Sequence, residues 1–430
     1  MALHHPLIAL AALVVGVQAE SAFDSMLANE QLWALDQESF QKATAGLPLR
    51  WTSSAQDSAR AAQEGMTLFG RPVVEVVVRF EEKKPAVITT NFYARGDAGD
   101  LTEAAFKKLL SETIETITKA TGAKYSIRGK DAASAVKAEG LIWTTPKSQY
   151  LLEYSFTKEV KTRDIPFRAE FVRLEVRPVQ KKQGLVAQAL ASAKKEKFAG
   201  PIHVKRDAAT GDVWLGDVPM VDQGQKGYCV VASTERVMRY YGTDVDANEL
   251  AQIANSDAER GTSLESMRGA MKKVAARLKV KIREHESMEI KDILAMIKDY
   301  NRVAKKSGES EIPDPGHMID VGGIYGAMNG TVLKEARTKN KSDLSRFQRD
   351  IQSHVDAGIP LLWSVQLGLF KDPDVPQSGG GHMRLIIGYN SKTQEVLFSD
   401  SWGAGHELKR MKADEAWTMT TQLVTIEPLS

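Results

Sequence analysis

The 430-residue sequence contains a single cysteine, Cys229, which excludes an intrachain disulfide framework. No stretch reaches the ~18 consecutive apolar residues of a membrane-spanning helix, so no integral membrane segment is expected. Charge of one sign is also missing. With a net charge of +2, the chain lacks the basic surplus of a nucleic-acid-binding protein, and no nucleic acid partner is expected. The N-terminal half has no cluster of His, Cys, Asp and Glu at metal-ligand or catalytic spacing. Nothing in the sequence calls for a metal or another cofactor.

What remains is an ordinary globular composition, 43% hydrophobic and 26% charged, long enough for two or three domains. Residues 1–19 predict a cleaved export signal, with an apolar run over 7–17, small residues at Val17 and Ala19, and His4 and His5 where Lys or Arg is usual. Export places the chain in a secreted or periplasmic compartment. No cysteine stands at the cleavage point, so a lipoprotein anchor is not expected. In an exported chain an unpaired thiol marks a reactive group, and this draws attention to Cys229.

Around that cysteine, residues 222–242 read DQGQKGYCVVASTERVMRYYG. Turn residues come first; Val230, Val231, Val237, Met238 and Tyr241 then recur at helical spacing, and Gly242 closes the helix. Cys229 thus opens a helix, where unpaired N–H groups and the positive end of the dipole favour thiolate. The alternative is a buried, inert cysteine. Two later stretches favour the nucleophile. In GGGHMRLIIGYN, His382 sits at the mouth of a strand with a buried apolar run. A second strand, 396–399, delivers Asp400, 18 residues after the histidine. Adjacent antiparallel strands of this length set imidazole and carboxylate side by side, which gives nucleophile, base and orienting acid.

At these residues the chain resembles the papain-like cysteine peptidases, most closely a bacterial branch that includes the peptidases processing bacteriocin leaders. That family places a glutamine six residues before its cysteine, as Gln223 stands before Cys229, and ends its histidine strand in Gly-Tyr, as at Gly388-Tyr389. Its Asn-Ser-Trp-Gly is matched by Asp400-Ser401-Trp402-Gly403, with aspartate in place of asparagine as in the bacterial branch. His382 follows Cys229 by 153 residues, close to papain-type spacing. The Cys-Gly-Ser-Cys-Trp signature of cathepsins is absent, and a large segment precedes the cysteine. The resemblance covers roughly 216–428, about half of the chain. It implies a two-lobed fold, helical on the cysteine side and antiparallel β on the histidine side, acting on a peptide or protein substrate. It also implies that Gln223, with the Cys229 backbone N–H, lines an oxyanion hole; Gln225 is the competitor. Trp402 is either a shield for His382 and Asp400 or a plain core tryptophan. The same groups also suit an amidase or acyltransferase, or a silent peptide-binding homologue.

The fold expected is α+β, with an N-terminal α+β domain over 20–179, a Lys- and Ala-rich linker over 180–200 and the peptidase domain over 201–430. In the first domain the pattern predicts a helix over 24–44, a hairpin over 71–94, a helix over 102–120 stopped by Gly122, and strands over 141–144, 150–156 and 167–177, the last bulged near Phe171. Its role is a pro-region, a targeting domain or a plain accessory domain. In the second domain a hairpin over 202–215 leads into the cysteine loop. Helices follow over 246–254 and 262–278, with capping boxes at Asp246/Glu249 and Thr262/Glu265, and then over 291–300 and 344–357. Strands take over from 361. The loops 307–316 and 370–381 are expected to rim a cleft between the lobes. Gly379, Gly380 and Gly381 allow either close approach of a substrate backbone or a tight turn. His317, His354 and His406 show no partner pattern and read as structural.

Overall fold

In the computed structural model, alternation along the strands builds two antiparallel eight-stranded sheets. The structure describes residues 22–128, 136, 138–160, 162, 165–179, 198–224, 227–243, 245–254, 264–316 and 319–429. The segment 1–19 expected to be an export signal, most of the expected linker (180–197), Gln225, Thr262 and His317 lie outside them.

The N-terminal sheet runs Arg50–Trp51, Ser58–Ala61, Glu75–Glu81, Lys84–Ala94, Arg168–Pro178, Ser148–Thr157, Glu139–Thr144 and Ser126–Arg128. The Glu75–Glu81 and Lys84–Ala94 strands form the expected hairpin, turning on Glu82 and Lys83, both left-handed at φ 49° and 62°. On one face, Tyr150, Leu152, Leu174 and Val176 meet the helix Glu103–Thr121, which buries Phe106 and Ile117. Thr102 caps that helix by accepting from the Ala105 N–H at 3.2 Å, and Gly122 ends it in the αL conformation. The bulge expected near Phe171 is present, between Ala169 and Phe171. The single helix expected over 24–44 is instead three pieces, Ala22–Ala28, Leu32–Ala34 and Gln37–Ala43. Glu30 turns left-handed at φ 57°, and Asp36 starts a new helix by accepting from the Ser39 N–H at 2.8 Å.

In the second half the His382 strand, Gly380–Asn390, lies at the centre of the sheet. It pairs with Leu361–Leu367, with Glu395–Ser399 and, near its end, with Asp212–Leu215. Gly388 permits that last crossing, because a Cβ there would lie 2.5 Å from the Val213 carbonyl oxygen. The helices of the cysteine side pack against this sheet, but the division by sequence is not clean. Val280–Ser287, between two helices, is a strand paired with Thr420–Pro428. Lys281, Arg283 and Glu284 mask its alternation with exposed or half-exposed charge. Helices Val321–Gly326 and Gly330–Thr338 were also not expected. Of the Asp246/Glu249 capping box, Asp246 does accept from the Asn248 N–H at 2.8 Å, while Glu249 is turned to Arg173.

The second face of the N-terminal sheet is charged; it faces the Cys229 helix, Cys229–Tyr240, across a cavity and touches the following helix, Ala247–Ala254. Arg173 sits 2.6 Å from Asp246 and 3.2 Å from Glu249 across this boundary, and 2.6 Å from Glu153 within its own sheet. Between the halves lies a cavity of about 330 Å³ bounded by Arg60, Asn91 and Arg173 on one side and Gln223, Ala232 and Glu235 on the other. The halves also touch beside Cys229. A Cβ on Gly96 would lie 1.3 Å from the hydroxyl oxygen of Tyr228. Replacing Gly96 by alanine should therefore force Tyr228 aside and destabilise the chain by about 1–3 kcal/mol, as overpacking does. Urea denaturation checks this; an unchanged midpoint would mean that the contact yields freely.

Candidate active site

Cys229 is the first residue of its helix, after Tyr228 at the cap position. Tyr228 supplies no side-chain cap, and the first backbone N–H groups have no acceptor within the helix. Gly242 ends the helix region with φ 73°, as expected. The thiol is free and half-buried. One side of the helix faces the apolar core of the second half through Val231, Val237 and Met238, and the other faces the N-terminal sheet through Ala232 and Glu235. Burial pushes the Glu235 carboxyl up to about 8 despite Arg239 nearby.

His382 is 3% exposed and lies three residues into its strand. Its Nε2–H donates to Asp400 Oδ1 at 2.7 Å, so the pairing expected across adjacent strands is present. Nδ1, on the other side of the ring, makes no well-aligned hydrogen bond. Cys229 nonetheless acts on the ring and favours its charged form. Burial alone would lower the His382 pKa, but hydrogen bonding and charge from Asp400 and Cys229 outweigh it and carry it above its ordinary value. The loosely aligned thiol is usual for a site without substrate.

Asp400 has no exposed surface. Burial would raise its pKa, yet His382, Arg384 and Lys409 together hold it below the usual carboxylate range. Arg384 Nε donates to Asp400 Oδ1 at 3.2 Å, and a second guanidinium nitrogen lies 3.1 Å from Oδ2. The same guanidinium pairs with Asp372, which Lys409 meets at 2.6 Å. Its plane rests 4.5 Å from the centre of the Phe398 ring. Arg236, two turns beyond Cys229, donates to the Asp400 carbonyl at 2.9 Å, to Ser399 Oγ at 2.5 Å and to the Pro219 carbonyl at 2.8 Å. It thereby ties the Cys229 helix to the Asp400 segment.

Gln223 is brought to the same place. The Ser401 hydroxyl donates to its side-chain oxygen at 2.6 Å, and its backbone N–H donates to the Ser401 carbonyl at 2.9 Å. The amide is thereby oriented with its NH₂ end turned away from Ser401. Trp402 stacks on His382, with ring centres 5.2 Å apart and planes 15° from parallel, so it covers the imidazole. Of the two expected rim loops, 370–381 reaches the site through Asp372. The other packs elsewhere: Ile312 exchanges two hydrogen bonds with Asn301 and is buried with Tyr300 and Leu333. His406 offers its backbone carbonyl to the Asp400 N–H at 2.9 Å. From the N-terminal half, Arg60 approaches Asp222 at 3.9 Å and Ser54 donates to Glu407 at 2.5 Å through its backbone N–H.

Residues 215–424 match the sequence model of the Peptidase_C39 like family. The C-terminal half is a Peptidase_C39-like domain. Among solved structures, Xylellain, a cysteine protease from Xylella fastidiosa, aligns over 53% of this chain and 91% of its own. The identity is 11% and the TM-score 0.26, values that carry no conclusion about this chain. No curated protein matches it. The Peptidase_C39-like domain is a cysteine-type peptidase with the α+β fold expected.

Sequence reading missed two residues of this domain's centre, Arg236 and Arg384. Both carry a positional signal: Arg236 shares the helix face of Cys229 at i+7, and Arg384 shares the strand face of His382 at i+2. Arg384 is a charge set in an otherwise apolar run, whereas Arg236 follows the polar Ser233-Thr234-Glu235. Arg384→Met should leave the carboxylates of Asp372 and Asp400 without their main counter-charge and destabilise the chain by about 3–5 kcal/mol. Chemical denaturation measures it, and a loss below about 1 kcal/mol would mean that His382 and Lys409 alone sustain the carboxylates.

Proposed function

We propose that this peptidase hydrolyses peptide bonds with Cys229 as nucleophile, His382 as proton carrier, Asp400 as the group that orients the imidazole and Gln223 as oxyanion donor. The observation that supports it best is the placing of His382 between Asp400, 2.7 Å from Nε2, and a thiol at a helix start. The Cys229 sulfur attacks the substrate carbonyl carbon as thiolate, with its proton held on His382 Nδ1. The developing oxyanion takes hydrogen bonds from the Cys229 N–H and the Gln223 side-chain amide, each worth about 2.7–4 kcal/mol in comparable sites. His382 then gives the proton to the leaving amine, and a water activated by the same nitrogen releases the acyl group. Trp402, stacked on the ring, keeps water from the His382–Asp400 bond.

The same reading assigns residues 1–19 to export and treats 20–179 and 201–430 as two domains joined by the segment 180–200. Among the described residues no helix is long and apolar enough to cross a membrane. The N-terminal domain touches residues flanking the site, at Asp222 and Tyr228, and turns its charged side toward the cysteine helix.

The direct test is mass spectrometry of the fragments made from a peptide library by the chain, by the chain after thiol alkylation and by Cys229→Ala. Fragments made only by the unmodified chain support the reading; cleavage that survives in Cys229→Ala ends it.

The electrostatics give a second expectation. Because its folded pKa is raised, the stabilising interaction of charged His382 is fully present below about pH 6.5 and is lost as pH rises through the folded value. That of Asp400, whose pKa is depressed, is present above about pH 3.9 and lost as pH falls through the folded value. Asp400→Asn keeps a hydrogen-bond acceptor but removes the charge, so the alkaline limb of kcat/KM should move to lower pH while partial activity remains. Superimposable pH profiles of the two proteins would show that the imidazole does not feel the carboxylate's charge.

A further inference from the structure

Away from the active site, His285, His354 and Glu427 converge from three elements, and their donor atoms all lie within 4.8 Å of one another. His285 comes from the strand Val280–Ser287, His354 from the helix Lys341–Asp356 and Glu427 from the strand Thr420–Pro428. The two rings meet edge to face with centres 4.4 Å apart, and all three residues are half-buried.

Three features distinguish this group from a chance cluster. His354 Nδ1 lies 2.7 Å from the Asp350 carbonyl oxygen, one turn back on its own helix. A carbonyl only accepts, so Nδ1 carries the proton, and in the neutral ring Nε2 presents a lone pair. A backbone carbonyl that fixes the tautomer in this way is the usual outer partner of a metal-binding histidine. Secondly, that lone pair faces Glu427 Oε1 at 3.9 Å. Two electron-rich atoms oppose each other at a distance too long for a shared proton. Thirdly, His285 stands at a break in register between Glu284 and Glu286, the kind of bulge that re-aims a side chain. The Thr425 hydroxyl, 3.0 Å from both His285 Nε2 and Glu427 Oε1, holds these two together. Arg283 holds the other carboxylate oxygen at 3.1 Å, which leaves Oε1 toward the histidines.

We propose that His285, His354 and Glu427 form a binding site for one divalent transition metal ion, zinc in the first instance, remote from the catalytic cysteine. Two imidazole nitrogens and one carboxylate oxygen suit zinc, and water would complete a tetrahedron. Ligands about 2.0–2.1 Å from zinc stand roughly 3.3 Å apart, so side-chain rotations of under about 1.5 Å close the site. The ion would clip the Lys341–Asp356 helix to the edge strand Val280–Ser287 and its neighbour Thr420–Pro428.

The test is zinc titration of the full, tag-free chain carrying Cys229→Ser, which removes the only thiol and so keeps zinc from the catalytic pair. Calorimetry should give one ion per chain. Saturating zinc should raise Tm by about 5 °C, and binding should weaken in acid, since metal ligands must be deprotonated. His354→Gln and Glu427→Gln should each weaken binding at least tenfold and abolish the Tm rise. Should those variants fail to fold, the visible spectrum with cobalt settles the matter on the chain with its ligands intact: bands of a four-coordinate nitrogen and oxygen set support the site. Absence of binding, or zinc binding that both substitutions leave unchanged, overturns the proposal, as does a cobalt spectrum of the hydrated ion alone.

Discussion

A fully buried carboxylate governs this domain. Removing an ion from water costs several kcal/mol even after relaxation, so Asp400 stays charged only where compensation is close and fixed. Arg384 supplies it from the same strand face as His382, two residues away, and is itself balanced by Asp372. Phe398 and Trp363 flank that guanidinium at 4.5 and 5.9 Å and close the space that water would otherwise enter. Once Asp400 is charged and fixed, the imidazole's orientation and its protonated Nε2 follow from one hydrogen bond, and against the effect of burial its pKa is raised by Asp400 together with Cys229. The Asp-Ser-Trp-Gly run is compact for the same reason. Asp400 holds one side of His382, Trp402 covers its face, and Ser401 between them sets the Gln223 amide.

Arg236 extends the constraint to the helix. Burial lowers its pKa to about 10, well above neutral pH, so it remains a cation. It spends its donors on Pro219, Ser399 and the Asp400 backbone, so the element carrying the thiol and the segment carrying the carboxylate move as one body. A helix N-terminus alone does not fix a thiol relative to another element; here a buried guanidinium two turns away ties the helix to the Asp400 segment.

What was legible in the sequence was whatever one residue pattern sufficed to specify. Cys229 at a helix start, His382 at a strand mouth and Asp400 after the next strand each follow from local periodicity and turn residues. So does the Thr102–Gly122 helix, whose cap and stop are both local. The Val280–Ser287 strand was hidden because its exposed edge carries charges that break alternation, and only pairing with Thr420–Pro428, about 140 residues later, makes it a strand. Arg236 and Arg384 were passed over because a charged residue reads as a surface position until its partner is known, and their partners lie 164 and 16 residues away. The group formed by His285, His354 and Glu427 was invisible for the same reason: spacing along the chain reveals ligands on one element, not on three.

The boundary between the two halves obeys a different physics from either core. Each half closes its own apolar cluster, while the surfaces between them carry Arg60, Arg173, Asp246 and Glu249. Burial raises the Glu235 and Glu249 carboxyls to about 8 and about 7, against nearby Arg239 and Arg173. Groups raised in this way contribute fully only in acid, and their contribution declines as pH rises through those values. Such a boundary adds less stability than apolar burial of equal area, but ion pairs and a single tight contact fix register. Besides the Arg173 pairs, contacts fall at Asp222 and Tyr228, which directly precede Gln223 and Cys229, and at Glu407, five residues after Trp402. Docking of the N-terminal half therefore bears on the placement of Gln223 and the Cys229 thiol more than on the folding of the sheet behind them, since no residue of that half enters the His382–Asp400–Arg384 core among the described contacts.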